Sequence, residues 1–136
     1  SINAALAVLE WGRAPEPEKP PLPLLVKARD QLIGYFDGKR TAFDLPLSPA
    51  GTPFQQQVWR AMCEIPYGET RTYGDLAQDL GSSARAVGTA CGKNPIPIII
   101  PCHRVVGANG RLTGYSGGAG TETKAQLLRL EGISLI

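Results

Sequence analysis

Between residues 94 and 101 the chain reads NPIPIIIP, with three prolines inside seven residues. Each proline removes a backbone donor and clashes with the carbonyl four residues back, and it pushes the residue before it out of the helical region. No helix can run through this stretch. Helices upstream must end by Asn94, and any helix downstream must begin after Pro101. Ile98, Ile99 and Ile100 then read as a buried strand. Cys102 and His103 follow at its end, and His103 is the only histidine in the chain. In an extended segment consecutive side chains point to opposite sides. Direct contact between this thiol and this imidazole is therefore awkward, and a water or a third group has to link them.

The segments before the prolines are punctuated as helices. In GTPFQQQVWRAMCEIPYG, Thr52 is an N-cap, Pro53 takes the first helical position and Gln55 completes a capping box. Phe54, Val58, Met62 and Ile65 form the expected buried stripe. In TYGDLAQDLGSSARAVGTACGKN, Thr72 caps a short helix with Asp75 three residues on, and Gly81 stops it. Ser82 or Ser83 begins a second helix, which Gly92 ends. Two short helices around a tight glycine turn read as helix-turn-helix. The second helix carries only small residues and Arg85. Such a surface comes close to a shallow minor groove but reads little sequence. A helix packed tightly in a core has the same composition, and composition does not separate the two.

The flanks are less informative. AALAVLEW (residues 4–11) reads as a strand, and APEPEKPPLP (14–23) as a Pro-rich loop. LLVKARDQLIGYFDGK spaces Leu25, Ala28, Leu32 and Phe36 along one helical face. TAFDLPLSPAG is a short extended piece followed by a linker. A compositional boundary near Ser48 to Gly51 divides the chain into 1–48 and 49–136. After His103, GANGRLTGYSGGAG gives a turn at Asn109–Gly110 and then a glycine-rich loop without the GK[ST] of a phosphate loop. TETKAQLLRLEG is a last amphipathic helix with Leu127, Leu128 and Leu130 inward and Gly132 as its stop.

Composition narrows the function classes. No run of eighteen apolar residues exists, so no membrane span is expected, and no signal peptide is visible. With one His and no CxxC pair among three cysteines, neither a tetrahedral zinc site nor another metal is expected. Reduced thiols point to a cytoplasmic protein. The net charge is only +2, yet residues 80–120 contain no Asp or Glu and carry Arg85, Lys93, Arg104 and Arg111. A positive face of that kind suits a phosphate backbone, and chance patterning on a solvated surface gives the same string.

RTYGDLA, ARAVGTACGKNPIPIIIPCHRVVG, GYSGG and LLRLEG stand in the order and spacing of the O6-alkylguanine-DNA alkyltransferases. The chain resembles this family of methylated-DNA–protein-cysteine methyltransferases from about Gly51 to its C-terminus. The resemblance implies an α+β fold: a small, shortened N-terminal sheet-plus-helix domain, then a mainly helical, winged-helix-like domain with a helix-turn-helix and a reactive cysteine. It implies Cys102 as the acceptor of an alkyl group from O6 of guanine, and also from O4 of thymine, in a single, irreversible turnover. His103 is implied as the base acting through a water, Glu131 as the acid that orients and charges that His, and Asn94 as a hydrogen-bonding hinge. Tyr73 is implied to donate to a ring nitrogen of a flipped guanine, and Arg85 to fill the vacated space. Ser83, Ala84, Ala86 and Thr89 are implied to meet the groove, and Pro97, Tyr115 and the backbone of Ser116 to line the base pocket. The implied partner is double-stranded DNA bearing O6-alkylguanine, and single strands too, with the protein acting as a monomer without a cofactor. Cys63 and Cys91 read as buried structural thiols.

Three other classes are weighed by the same residues. A non-enzymatic binder of alkylated bases lacks the acceptor, which Cys102 supplies. A helix-turn-helix regulator needs base-reading side chains that residues 84–91 do not offer. A cysteine hydrolase uses Cys and His but turns over and needs an oxyanion site.

Overall fold

A computed structural model describes residues 22–112 and 120–133. The strand read at residues 4–11, most of the Pro-rich loop, and Tyr115 and Ser116 lie outside the described residues. The elements are α1 (Leu22–Phe36), α2 (Pro53–Cys63), β1 (Arg71–Thr72), α3 (Tyr73–Leu80), α4 (Ala84–Gly92), β2 (Val105–Val106) and α5 (Thr121–Leu130), with 3₁₀ turns at Cys102–Arg104 and Ala108–Gly110. The architecture is mixed and helix-dominant, and β1 and β2 form a two-stranded parallel sheet.

The expected caps form as their residue types require. Thr52 and Gln55 satisfy each other's backbone in a capping box at α2, and Thr72 and Asp75 do the same at α3. Gly81 ends α3 in the left-handed region at φ 64°, where a Cβ is disfavoured. Ser83, not Ser82, caps α4 by accepting from the Ala86 N–H at 3.1 Å. Gly92 is the last residue of α4, with Lys93 as its C-cap. Trp59 locks α2 to α4, donating its indole N–H to the Ala90 carbonyl at 2.9 Å. Gly51 makes room for that ring, since a Cβ there would lie 2.6 Å from it.

The core gathers Val58, Trp59 and Met62 from α2, Leu76 and Ala77 from α3, and Val87, Ala90 and Cys91 from α4. Leu24, Ala28 and Tyr35 from α1 join it, as do Ile65, the four isoleucines Ile96, Ile98, Ile99 and Ile100, and Cys102, Val105 and Leu127. The α2 stripe of Val58, Met62 and Ile65 and the α5 residues Leu127 and Leu128 are buried as expected, whereas the α1 face is rotated. α1 buries Leu24, Ala28, Gln31 and Tyr35, whereas Phe36 is 48% exposed and Leu25 and Leu32 are half-buried. Gln31 holds that face down by exchanging two hydrogen bonds with the Asp44 backbone, at 2.9 and 2.8 Å. In α2 the buried aromatic is Trp59, and Phe54 is half-buried. In α5 Leu130 is half-buried, and Lys124 and Ala125 are buried beside Leu127 and Leu128.

The strand expected at Ile98–Ile100 is a tight turn instead. The prolines leave too few donors for a ladder, and the Asn94 side chain supplies the closure. Its Oδ1 accepts from the Ile96 N–H at 2.9 Å and its Nδ2 donates to the Ile100 carbonyl at 2.8 Å. The Ile100 N–H returns to the Ile96 carbonyl at 2.9 Å. Ile98 sits at φ +74°, a strained conformation for a β-branched residue. All four isoleucines are nonetheless buried.

Candidate active site

The turn ends at Cys102, and residues 102–104 wind into one 3₁₀ turn rather than continuing extended. β2 follows at once and pairs in parallel with β1, Arg71 opposite Val105 and Thr72 opposite Val106. Because Thr72 is also the N-cap of α3, this pairing fixes the Cys102–Arg104 turn beside the start of the helix-turn-helix. Cys102, His103 and Arg104 are all buried.

Glu131 is the hub of the site. α5 ends there, Gly132 turns left-handed at φ +86°, and the Ile133 N–H bonds back to the Leu128 carbonyl at 3.0 Å, a glycine stop that leaves the preceding side chain facing inward. Oε2 of Glu131 lies 2.7 Å from His103 Nε2 and accepts from the Tyr35 hydroxyl at 2.6 Å and Arg104 Nη2 at 3.0 Å. Oε1 accepts from Arg104 Nε at 2.9 Å and the Gly68 N–H at 3.1 Å. Burial alone raises the pKa of this carboxyl, but the donors from His103, Arg104 and Tyr35 outweigh it and hold Glu131 at about 2.

An ionised carboxylate only accepts hydrogen bonds. The His103 nitrogen against it must therefore carry the proton, which assigns the Nε2–H tautomer. Burial pulls the His103 pKa below its ordinary value, and the Glu131 hydrogen bond only partly restores it. At rest the ring is neutral, and its Nδ1 is a buried base with no protein partner among the described residues. Glu131 thus orients the ring, and charging it belongs to the moment when a proton arrives. No direct hydrogen bond joins the Cys102 and His103 side chains among the described residues, and a turn rather than an extended strand sets their geometry.

The Cys102 thiol is pushed up by burial and drawn back by the Asn94 side chain, the Lys124 cation and a backbone N–H. Lys124 is completely buried. Burial lowers its pKa to about 8, against the pull of Cys102 and Cys91. Its ammonium donates to the Tyr73 hydroxyl at 3.3 Å and lies 5.5 Å from that ring's centroid. Cys91 is a buried thiol raised to about 12 by burial and by Cys102, with its sulfur 3.5 Å from that of Met62. Cys63, by contrast, is exposed.

An open groove of about 640 Å³ runs along the helix-turn-helix, lined by Tyr73, Gly74, Ala84, Arg85, Gly88 and Thr89 among others. Arg85 also borders a second groove on the other flank of α4, with Ser83, Ala86 and Thr89. It is exposed, stands on the ridge between them and enters no ion pair among the described residues. Thr89 turns its hydroxyl proton to the Arg85 carbonyl at 3.1 Å, which leaves it only as an acceptor toward a ligand. Cys102, His103 and Glu131 do not line either groove. Tyr73 is the link, with its ring on the groove and its hydroxyl on Lys124. Pro97 is half-buried and bridges to Ile100. Arg104 does not join a positive face as its place in the acid-free stretch suggested. It is the internal counter-ion of Glu131.

Three participants escaped the sequence reading. Tyr35 and Lys124 sit on apolar helix faces, where a polar handle needs a buried partner, and that was the available signal. Arg104 had the signal of standing two residues from Cys102.

The family model for the DNA-binding domain of 6-O-methylguanine DNA methyltransferase matches residues 53–133. A methylated-DNA–protein-cysteine methyltransferase of Methanosarcina acetivorans is 56% identical over 108 residues, covering 78% of this chain and 68% of that protein. The constitutive enzyme of that name from Bacillus subtilis is 55% identical over 114 residues, covering 82% and 68%. The crystal structure of Mycobacterium tuberculosis OGT in complex with DNA superposes with a TM-score of 0.77 at 51% identity, over 89% of this chain and 76% of that one. The buried Cys-His-Glu cluster thus stands within the matched region, and the chain belongs to the 6-O-methylguanine DNA methyltransferase family.

Proposed function

We propose that Cys102 is the acceptor in this protein and that His103, Glu131, Lys124 and Tyr73 carry the transfer. The protein repairs DNA by moving an alkyl group onto a cysteine of its own, and DNA is its partner. In this reading the Cys102 thiol gives its proton, through a water, to Nδ1 of His103. Glu131 then stabilises the imidazolium through Nε2. The thiolate attacks the alkyl carbon, the S–C bond forms as the C–O6 bond breaks, and the guanine leaves with Tyr73 donating to its ring nitrogen. Lys124 faces both ends of this path, as a cation near the sulfur and a donor on the Tyr73 oxygen. A thioether sulfur is a poor leaving group, so the protein acts once. The observation that carries the reading is the neutral His103, its Nδ1 unpartnered among the described residues, held by an ionised carboxylate beside a buried thiol.

The groove supports the approach of DNA along α4, whose Ala84, Ala86 and Gly88 offer little bulk. An alkyl group on O6 of stacked guanine lies in the major groove, so a minor-groove helix reaches it only if the nucleotide rotates out of the stack. Arg85, on the ridge between the two grooves, is placed to fill the gap. The same chemistry extends to single strands and to O4-alkylthymine. A monomer suffices, because the cluster is completed within one chain, and a reduced cytoplasmic setting keeps the thiol competent.

The test is a titration with an alkylated oligonucleotide followed by peptide mass mapping. One alkyl group per molecule on the Cys102 peptide is expected. Repeated turnovers, or label on Cys63 or Cys91, overturn the assignment. Cys102→Ala is expected to abolish transfer and keep DNA affinity, since the groove contacts come from α4.

A further inference from the structure

We infer that Tyr35, on α1, is a positioning residue for the transfer, its hydroxyl sharing with His103 the single Glu131 oxygen that orients the imidazole. The inference rests on the role proposed above for His103.

Tyr35 is completely buried, 68 residues before His103 and 96 before Glu131. Its hydroxyl donates to Oε2 at 2.6 Å and stands 3.4 Å from His103 Nε2, which itself lies 2.7 Å from the same oxygen. The ring is wedged among Phe43, Tyr67 and His103, with centroids 5.6, 6.0 and 6.5 Å away. Packing explains the ring but not the aim of the hydroxyl. Oε1 is already held by Arg104 and Gly68, so the carboxylate is fixed without Tyr35. What Tyr35 adds is a neutral donor that draws charge from Oε2, the oxygen His103 uses. A carboxylate oxygen that serves several donors supports an imidazolium less strongly than one that serves His103 with less competition. Tyr35 therefore keeps His103 less basic, and so unprotonated and ready to accept the proton of Cys102.

The charged and titratable groups facing His103 are Glu131 and Lys124 of α5, Arg104 on its own turn, and Tyr35 of α1. Lys124 and Arg104 lower its basicity and Glu131 raises it. Burial and Glu131 push the Tyr35 hydroxyl far above its ordinary range, so it remains a donor at any working pH.

The experiment uses Tyr35→Phe and site-specific 3-fluorotyrosine at position 35, which keeps the ring and makes the hydroxyl a stronger donor. His103 is the only histidine, so its ¹⁵N and Nε2-bound proton resonances need no assignment among others. Tyr35→Phe is expected to move the Nε2 proton downfield and to shift the acid limb of the single-turnover rate profile to higher pH, with DNA affinity unchanged. Fluorotyrosine is expected to move both in the opposite direction. Wild-type resonances and an unshifted profile in the fluorotyrosine protein overturn the inference, whatever Tyr35→Phe does to stability. The fluorinated chain also gives the answer if Tyr35→Phe does not fold. Failure of the wild type to alkylate Cys102 would sink the proposed function instead, while the His103 resonances still report on Tyr35.

Discussion

Glu131→Gln preserves shape and removes charge, and the surrounding contacts decide which groups lose a partner. Oε1 meets two groups that can only donate, Arg104 Nε at 2.9 Å and the Gly68 N–H at 3.1 Å. The amide oxygen must therefore take that side, and the amide nitrogen must take the place of Oε2. There it faces Arg104 Nη2, the Tyr35 hydroxyl and His103 Nε2. Tyr35 can rotate its proton and accept. His103 can accept at Nε2 only by moving its own proton to Nδ1, which removes the base proposed to take the Cys102 proton. Arg104 cannot adapt and is left as a buried cation, its side chain 8% exposed. Breaking a buried pair from one side costs about 3–5 kcal/mol, a large part of the ~5–15 kcal/mol that holds a domain together. General base catalysis contributes roughly 10²- to 10⁴-fold, and transfer is expected to slow by that order. Urea denaturation at pH 7 reads the first effect, and single-turnover kinetics with His103 ¹⁵N spectra read the second. Adding Arg104→Met to Glu131→Gln should recover part of the stability and none of the rate. A Glu131→Gln protein that is as stable as the wild type and transfers at its rate refutes the reasoning.

The remaining expectations concern acid, Lys124 and Arg85. Glu131 titrates at about 2 in the fold against an ordinary 4.5. Its contribution is thus complete above about 4.5 and lost as pH falls toward 2, on the order of 3 kcal/mol. Urea midpoints measured down that window should fall, and they should fall less in Glu131→Gln. Lys124→Met is expected to slow transfer about tenfold near pH 7 and shift the rate profile to higher pH, because a neighbouring cation draws a buried thiol toward its reactive thiolate. An unshifted profile would leave Lys124 a packing residue. Arg85→Ala is expected to impair repair in duplex DNA more than in single strands, since only the duplex demands an unstacking cost of about a few kcal/mol. Equal losses on both substrates would make Arg85 a plain phosphate contact.

The caps at Thr52, Thr72 and Ser83 and the stop at Gly81 could be read from the chain because each closes a hydrogen bond within a few residues of itself. The order of motifs around PCHRV likewise named Cys102, His103 and Glu131 before any fold was known, and the fold brings His103 and Glu131 together at 2.7 Å. What the chain did not disclose is how distant donors divide one carboxylate. Arg104 read as a surface charge and became an internal counter-ion. The Ile98–Ile100 run read as a strand and became a turn, because prolines deny it a ladder while Asn94 offers another closure. The α1 face came out rotated, since Gln31 and Tyr35 do not count as apolar until the fold supplies Asp44 and Glu131 as their partners. Local hydrogen bonds are written in neighbouring residues. Whether a polar or charged group can be buried depends on which partners converge on it in space, and only the tertiary structure decides that.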